Sequence, residues 1–229
     1  MKGFYISESY IGAHGRTISI NPLPGKVCTF DCVFCPMDER TAEKTDKAAV
    51  FKETDDFIKK LDIAIQNENI EAVFVSAAGE ALANIQINEI VEVIKKHNCK
   101  AVIISNGYMF GYMDFFTVLN RFDVVIGELM ASTEADFQSL CRPVRGFTLQ
   151  QHISNMEVFR KQYMGKFVLD ITILKGYSDT DEAMDFFKAA VERLQPDEVE
   201  FETPDEGKLG KAFGVEEATL ERFRMHIKP

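Results

Sequence analysis

Apolar residues fall along this chain in short unbroken runs separated by longer stretches of helical period. The runs are "RTISINP" (16–22), "IEAVFVSAAGE" (70–80), "KAVIISNG" (100–107), "FDVVIGEL" (122–129), "KFVLDITILKG" (166–176) and "DEVEFETP" (197–204). The centres of the four middle runs lack the in/out alternation of a strand with one wet face, which predicts strands covered on both sides, as in a parallel sheet. Between the first two runs, "ETDDFIKKLDIAIQNE" (53–68) places Phe57, Ile58, Leu61 and Ile65 on one helical stripe. Further helices are predicted over 84–98, near 112–119, over 133–140, 149–163 and 179–194, and near 216–226. Unbroken β-then-α alternation through six strands predicts an α/β fold, a partial (βα)6 barrel of the TIM type with helices outside. One domain is expected over 1–229, with its core at 16–204 and a C-terminal loop and helix over 205–229. In that region "DEGKLGKAFG" reads as a surface loop.

Composition narrows the function classes. Of the 229 residues, 46% are hydrophobic and 27% charged, an ordinary globular balance. A formal net charge of −10 repels phosphate backbones, so no nucleic-acid partner is expected. No apolar run approaches the roughly 18 residues that span a bilayer, and the N-terminus lacks a basic-then-apolar signal layout, so the expectation is a cytoplasmic protein with no membrane partner. In that reducing setting five cysteines, an odd number, read as metal-binding or catalytic thiols rather than a disulfide framework.

Three of those thiols lie within eight positions, in "GKVCTFDCVFC". Cys28, Cys32 and Cys35 form C-x3-C-x2-C on the loop after the first strand, at the strand end where α/β barrels gather functional groups. Three thiolates can hold three corners of a four-iron cubane, and a closed zinc site wants four ligands. The other candidates for a fourth ligand, Cys99, Cys141 and the four histidines, are remote in sequence. The set therefore suits a site with one open position for a small molecule.

At this point "CTFDCVFC", with an aromatic before the last cysteine, resembles the cluster motif of the radical S-adenosylmethionine (radical SAM) superfamily. "SINPLPGKVC", "FVSAAGEALANI", "SNG", "CRPVRGFTLQQHISNMEVFRKQYMGKF", "ILKGYSDTDEA" and "LQPDEVEFETP" are similar, in order, to its wyosine-synthase-like branch. The resemblance implies a [4Fe-4S] cluster on Cys28, Cys32 and Cys35 whose open iron binds S-adenosylmethionine (SAM), and reductive cleavage to a 5′-deoxyadenosyl radical that abstracts hydrogen from a substrate. It also implies cofactor contacts. Ala78, Gly79 and Glu80 stand where the family holds the SAM amino group, small residues permitting close backbone approach and a carboxylate accepting from an ammonium. Ser105 and Asn106 match a ribose or methionyl contact, and Arg142 matches an arginine suited to the methionyl carboxylate. At strand four relatives carry Ser-Leu-Asp-Ala; here Glu128, Leu129, Met130 and Ala131 stand instead, with Glu128 taking the polar cofactor role from a neighbouring position. Cys141 is a candidate hydrogen-atom donor, and Cys99 reads as core. His14 is a possible neighbour of the cluster rim, and Lys175 a possible ligand for a substrate carboxylate.

The expected partners are a small-molecule or peptide substrate and an electron donor such as flavodoxin or ferredoxin. The competing readings are a tRNA-base modifier, a glycyl-radical-enzyme activase and a non-enzymatic zinc or electron-transfer module. The acidic charge and the lack of thiols for a second cluster weigh against the first of these.

Overall fold

The computed structural model describes residues 3–37 and 44–228. The ends of the expected 1–229 domain lie outside that range. Three N-terminal strands, β1 (Tyr5–Ile6), β2 (Tyr10–Gly12) and β3 (Gly15–Asn21), precede a long loop that carries the cysteines. The order continues with α1 (Thr54–Glu68), β4 (Ala72–Val75), α2 (Ile87–Lys96), β5 (Lys100–Ser105), α3 (Met113–Leu119), β6 (Val124–Leu129) and α4 (Glu134–Asp136). Then come α5 (Leu149–Arg160), β7 (Lys166–Thr172), α6 (Asp181–Leu194), β8 (Glu198–Glu202), α7 (Gly207–Phe213) and α8 (Glu217–His226).

Strands β3 to β8 pair in sequence order and all in parallel, with Ile18 opposite Val73, Val73 opposite Ala101, and Glu128 opposite Asp170. Among the described residues no pairing joins β8 back to β1, β2 or β3, so the barrel is open, as the expected partial (βα)6 architecture requires. All six predicted strands are present. β1 and β2 are additions, pairing antiparallel on the free edge of β3 through Tyr5–Asn21 and Tyr10–Thr17. They are only two and three residues long, too short to leave a readable period.

The helices follow from their patterns. α1 buries Phe57, Leu61 and Ile65, one residue per turn, and carries Asp55 and Asp56 in its first turn, where the helix dipole favours negative charge. Thr148 and Gln151 form a capping box that starts α5, and the Thr180 hydroxyl accepts from the Ala183 N–H to start α6. Two regions depart from expectation. The predicted helix at 133–140 opens as α4 and continues as a π-helical turn, Phe137–Cys141, and "DEGKLGKAFG" contains α7 rather than an unstructured loop. Its Phe213 ring packs 6.4 Å from Phe34 of the cysteine loop, a tertiary contact that overrides the turn-like reading of its glycines.

The sheet has two unlike faces. Val73, Val75, Ala101, Ile103, Val125, Leu169 and Ile171 join the main core under the helices. Residues one position away, Val102, Val124 and Val168 with Phe74 and Ile126, form a separate apolar cluster on the concave face. By the same alternation Glu128, Asp170, Thr172 and Glu202 belong to that concave face, nearer the C-terminal ends of their strands.

Candidate active site

The C-x3-C-x2-C spacing has a structural cause. Between the first two cysteines Thr29 and Phe30 turn inward and are buried, and between the last two Phe34 does so. Phe30 seats edge-on against Phe137 at 5.6 Å and also meets Tyr108, Phe147 and His152, while Phe34 faces Phe213. With these anchors facing in, Cys28, Cys32 and Cys35 are left as three half-buried free thiols on one loop.

Backbone contacts fix that loop from two sides. Val27 bridges Gly79 in parallel and its carbonyl accepts from the Glu80 N–H at 2.9 Å. Across the other edge, the Val33 N–H donates to the Leu140 carbonyl at 2.8 Å, the Asp31 N–H to the Cys141 carbonyl at 3.1 Å, and the Val144 N–H to the Thr29 carbonyl at 3.0 Å. The Lys44 ammonium donates to the carbonyls of Arg142 and Pro143 at 3.0 and 2.9 Å.

The sequence-predicted residues mostly converge here, with some changes of role. Gly79 has φ +138°, and a Cβ added to it would lie 2.0 Å from the Val27 carbonyl oxygen, so what approaches this glycine closely is the cysteine loop's own backbone. Ala78 is buried and donates its N–H to the Asn21 side chain at 2.8 Å. Glu80 is 1% exposed, and its carboxylate accepts from the Leu82 N–H, the Ser105 hydroxyl and the Asn106 N–H at 3.0, 3.1 and 3.0 Å. It thereby acts as a strut between the ends of β4 and β5. Burial pushes its pKa up to about 7, opposed by those three donors. The Asn106 amide then reaches the cysteine loop, donating from Nδ2 to Thr29 Oγ1 at 2.9 Å and to Cys28 Sγ at 3.4 Å.

Burial, then the Glu80 charge, pushes the Cys28 thiol up to about 12. Cys32 is raised chiefly by a hydrogen bond with the thiol of Cys141, and then by burial. Cys141 is fully buried behind the loop, its carbonyl 3.6 Å from Cys32 Sγ. Arg142 adopts a left-handed φ of 47°, donates from Nε to the Ser139 carbonyl and lies 3.9 Å from Asp31.

Other residues lie elsewhere. Cys99 is core as expected, donating to the Ile70 carbonyl at 3.0 Å. His14 sits by Lys100 at the start of β5, the opposite end of the strands from the cysteine loop, so its expected approach to the rim is not found. Lys175 is exposed beside Phe213. Glu128 is outside the Glu80 strut; its carboxylate clusters with Asp170 and Glu202.

One residue that sequence reasoning passed over is His152. It is fully buried, stacked 5.5 Å from Phe137, and its Nε2 donates to the Glu128 carbonyl at 3.0 Å. Burial pushes its pKa down to about 4, so the ring is neutral. Its position in the helical pattern of "TLQQHISNMEVF" on an otherwise apolar face was the available signal.

A family model described as the radical SAM superfamily matches residues 23–187. The chain belongs to the radical SAM superfamily. Membership implies an enzyme that uses SAM and an iron–sulfur cluster. A UPF0026 protein of Methanocaldococcus jannaschii is 26% identical over 193 residues, which are 83% of this chain and 60% of that protein, so the chain spans well under the full length of that relative. Among solved structures, TYW1 with a lysine-pyruvate adduct bound superposes with a TM-score of 0.66 at 15% identity, covering 94% of this chain and 74% of that one. A radical SAM methyltransferase from Sphaerobacter thermophilus gives 0.62 at 13% identity, covering 99% and 74%. These likenesses bear out the partial-barrel fold of the radical SAM kind. No helix among the described residues is long and apolar enough to cross a membrane.

Proposed function

We propose that Cys28, Cys32 and Cys35 hold a [4Fe-4S] cluster with one iron left for SAM, and that the chain catalyses radical chemistry on a small-molecule or peptide substrate bound at the concave face. The observation that carries this reading is the pair of N–H donors aimed at Cys28 Sγ, from the Phe30 backbone and the Asn106 amide, each at 3.4 Å. Hydrogen bonds to sulfur favour a thiolate ligand and tune a cluster's potential, whereas without metal burial keeps the Cys28 thiol protonated. Three soft donors on one loop fit that group. When bound, the cluster supplies the electron that cleaves SAM to methionine and a carbon radical able to abstract hydrogen.

The chain's own residues orient and enclose. Glu80 ties the β4 and β5 ends, Asn106 sets the Cys28 sulfur, and Ala78, Gly79, Ser105 and Arg142 lie around the same loop as the SAM-binding set. The aromatic cluster of Phe30, Phe137 and Phe147 keeps water from the loop's inner side. A flavodoxin- or ferredoxin-type protein supplies electrons. The net charge of −10 favours a small or peptide substrate over tRNA. The test is anaerobic reconstitution with iron and sulfide, then dithionite and SAM, with chromatography for 5′-deoxyadenosine. Wild type is expected to form it and Cys32→Ala not to; equal product from both would overturn the assignment.

A further inference from the structure

On the concave face, Glu128 of β6, Asp170 of β7 and Glu202 of β8 bring carboxylate oxygens within 4.8 Å of one another. Parallel register is the cause: Glu128 pairs directly with Asp170, and Glu202 sits two positions on from Glu200, which pairs with Asp170. Acidic side chains so placed repel each other, and no lysine or arginine among the described residues pairs with any of the three. Asp170 is 4% exposed, yet its Oδ1 has no hydrogen-bond partner. A buried carboxylate oxygen without a partner is left desolvated at a cost and marks a missing donor. The mouth of the group is open, because Glu202 is exposed and Glu128 only half-buried.

We infer that Glu128, Asp170 and Glu202 form the subsite for a cationic group of the substrate, an alkylammonium carried into the barrel with its charge against Asp170. This rests on the radical SAM reading, since that chemistry requires a substrate on the cluster's side of the sheet. Spacing of this order suits three oxygens each about 2.9 Å from one ammonium nitrogen. Glu128 lies at the C-terminal end of β6, the same end of the parallel sheet from which the cysteine loop leaves β3, so the group and that loop share one rim. Ile126 and Val168, on the same face one strand step deeper, give a dry floor that favours an alkylated cation over a hydrated metal ion. Burial raises the pKa of all three acids, and for Glu128 and Asp170 the charge of Glu202 adds to it, so a bound cation would take the place of protons those two otherwise retain. The assignment turns Glu128 from the cofactor toward the substrate and accounts for a carboxylate where relatives carry Ser-Leu-Asp-Ala.

The experiment uses the reconstituted protein, n-butylammonium as probe and n-butanol as its uncharged counterpart, with affinities from saturation-transfer NMR. Wild type is expected to bind the ammonium and not the alcohol. Asp170→Asn and Glu202→Gln should each weaken it about tenfold or more, as loss of a charged acceptor does. Glu202 is exposed, so its variant keeps the test alive if the buried change impairs folding. Equal affinity in all three proteins, or no binding to wild type, overturns the subsite. So does an electron paramagnetic resonance titration showing Mn²⁺ bound in wild type and lost in Asp170→Asn, which would make the group a metal site. In the same wild-type preparation, 5′-deoxyadenosine without ammonium binding would sink only the subsite. Ammonium binding without 5′-deoxyadenosine would sink only the radical chemistry.

Discussion

Replacing Gly79 with alanine tests whether the β4 end and the cysteine loop form one rigid joint. The added Cβ would lie 2.0 Å from the Val27 carbonyl oxygen and 2.7 Å from its carbon, both backbone atoms that cannot rotate away. The residue must also hold φ +138°, where a side chain is strained. Strain of about 1–3 kcal/mol at such a φ and a similar overpacking cost together give roughly 4 kcal/mol. For a chain of this size that is a fall in melting temperature of about 8–16 °C. Relief requires Val27 to move, which stretches the hydrogen bond from the Glu80 N–H and displaces Cys28 next door. The assay is thermal unfolding of the metal-free protein by circular dichroism, with iron retained per chain after anaerobic reconstitution. Gly25→Ala is the control, because a Cβ there meets nothing within 4 Å. If Gly79→Ala melts within about 2 °C of wild type, half the shift one kcal/mol produces at the upper end of that range, and retains full iron, the joint is not what positions the loop.

Three further outcomes are expected. Asn106→Ala removes the amide on Cys28 Sγ and Thr29 Oγ1 and should cost about 1–2 kcal/mol while shifting the reduction potential of the reconstituted cluster; an unchanged potential would mean the contact does not bear on the metal. In the metal-free protein Asp170, pushed up to about 9 by burial and by Glu202, binds more protons folded than unfolded, so its contribution is complete at acid pH and is lost as pH rises toward 9. Asp170→Asn should therefore gain melting temperature relative to wild type between pH 6 and 9, and parallel profiles would refute this. Arg142→Gly should leave stability nearly unchanged, since φ is 47° there and the Asp31 pair is 3.9 Å long, but should weaken SAM binding by equilibrium dialysis; equal binding would remove Arg142 from the cofactor site.

How much of this was legible depended on sequence distance. The cysteine triad and the six strands are local patterns, and each survived in place. The roles of Gly79 and Glu80 were harder, because the atoms they serve, on Val27, Ser105 and Asn106, lie up to 52 residues away and become neighbours only through parallel pairing. The carboxylate group was hidden in the same manner, with members 42 and 32 residues apart along the chain. Its one local sign was Asp170, a charge inside the apolar run "KFVLDITIL". α7 was missed because Phe34 and α7 are joined by tertiary packing that no short window contains.

The π-helical turn at Phe137–Cys141 has a consequence for biosynthesis. The cysteine loop emerges from the ribosome early, yet the carbonyls of Leu140, Cys141 and Arg142 that pin Asp31 and Val33 are made more than a hundred residues later. Until β6 and that turn have docked, the loop is held only on its Val27 side, and the segment carrying Cys32 and Cys35 lacks its second set of backbone partners. If the motif holds the proposed cluster, loading at native geometry would be a late event, timed by the middle of the chain rather than by the three cysteines.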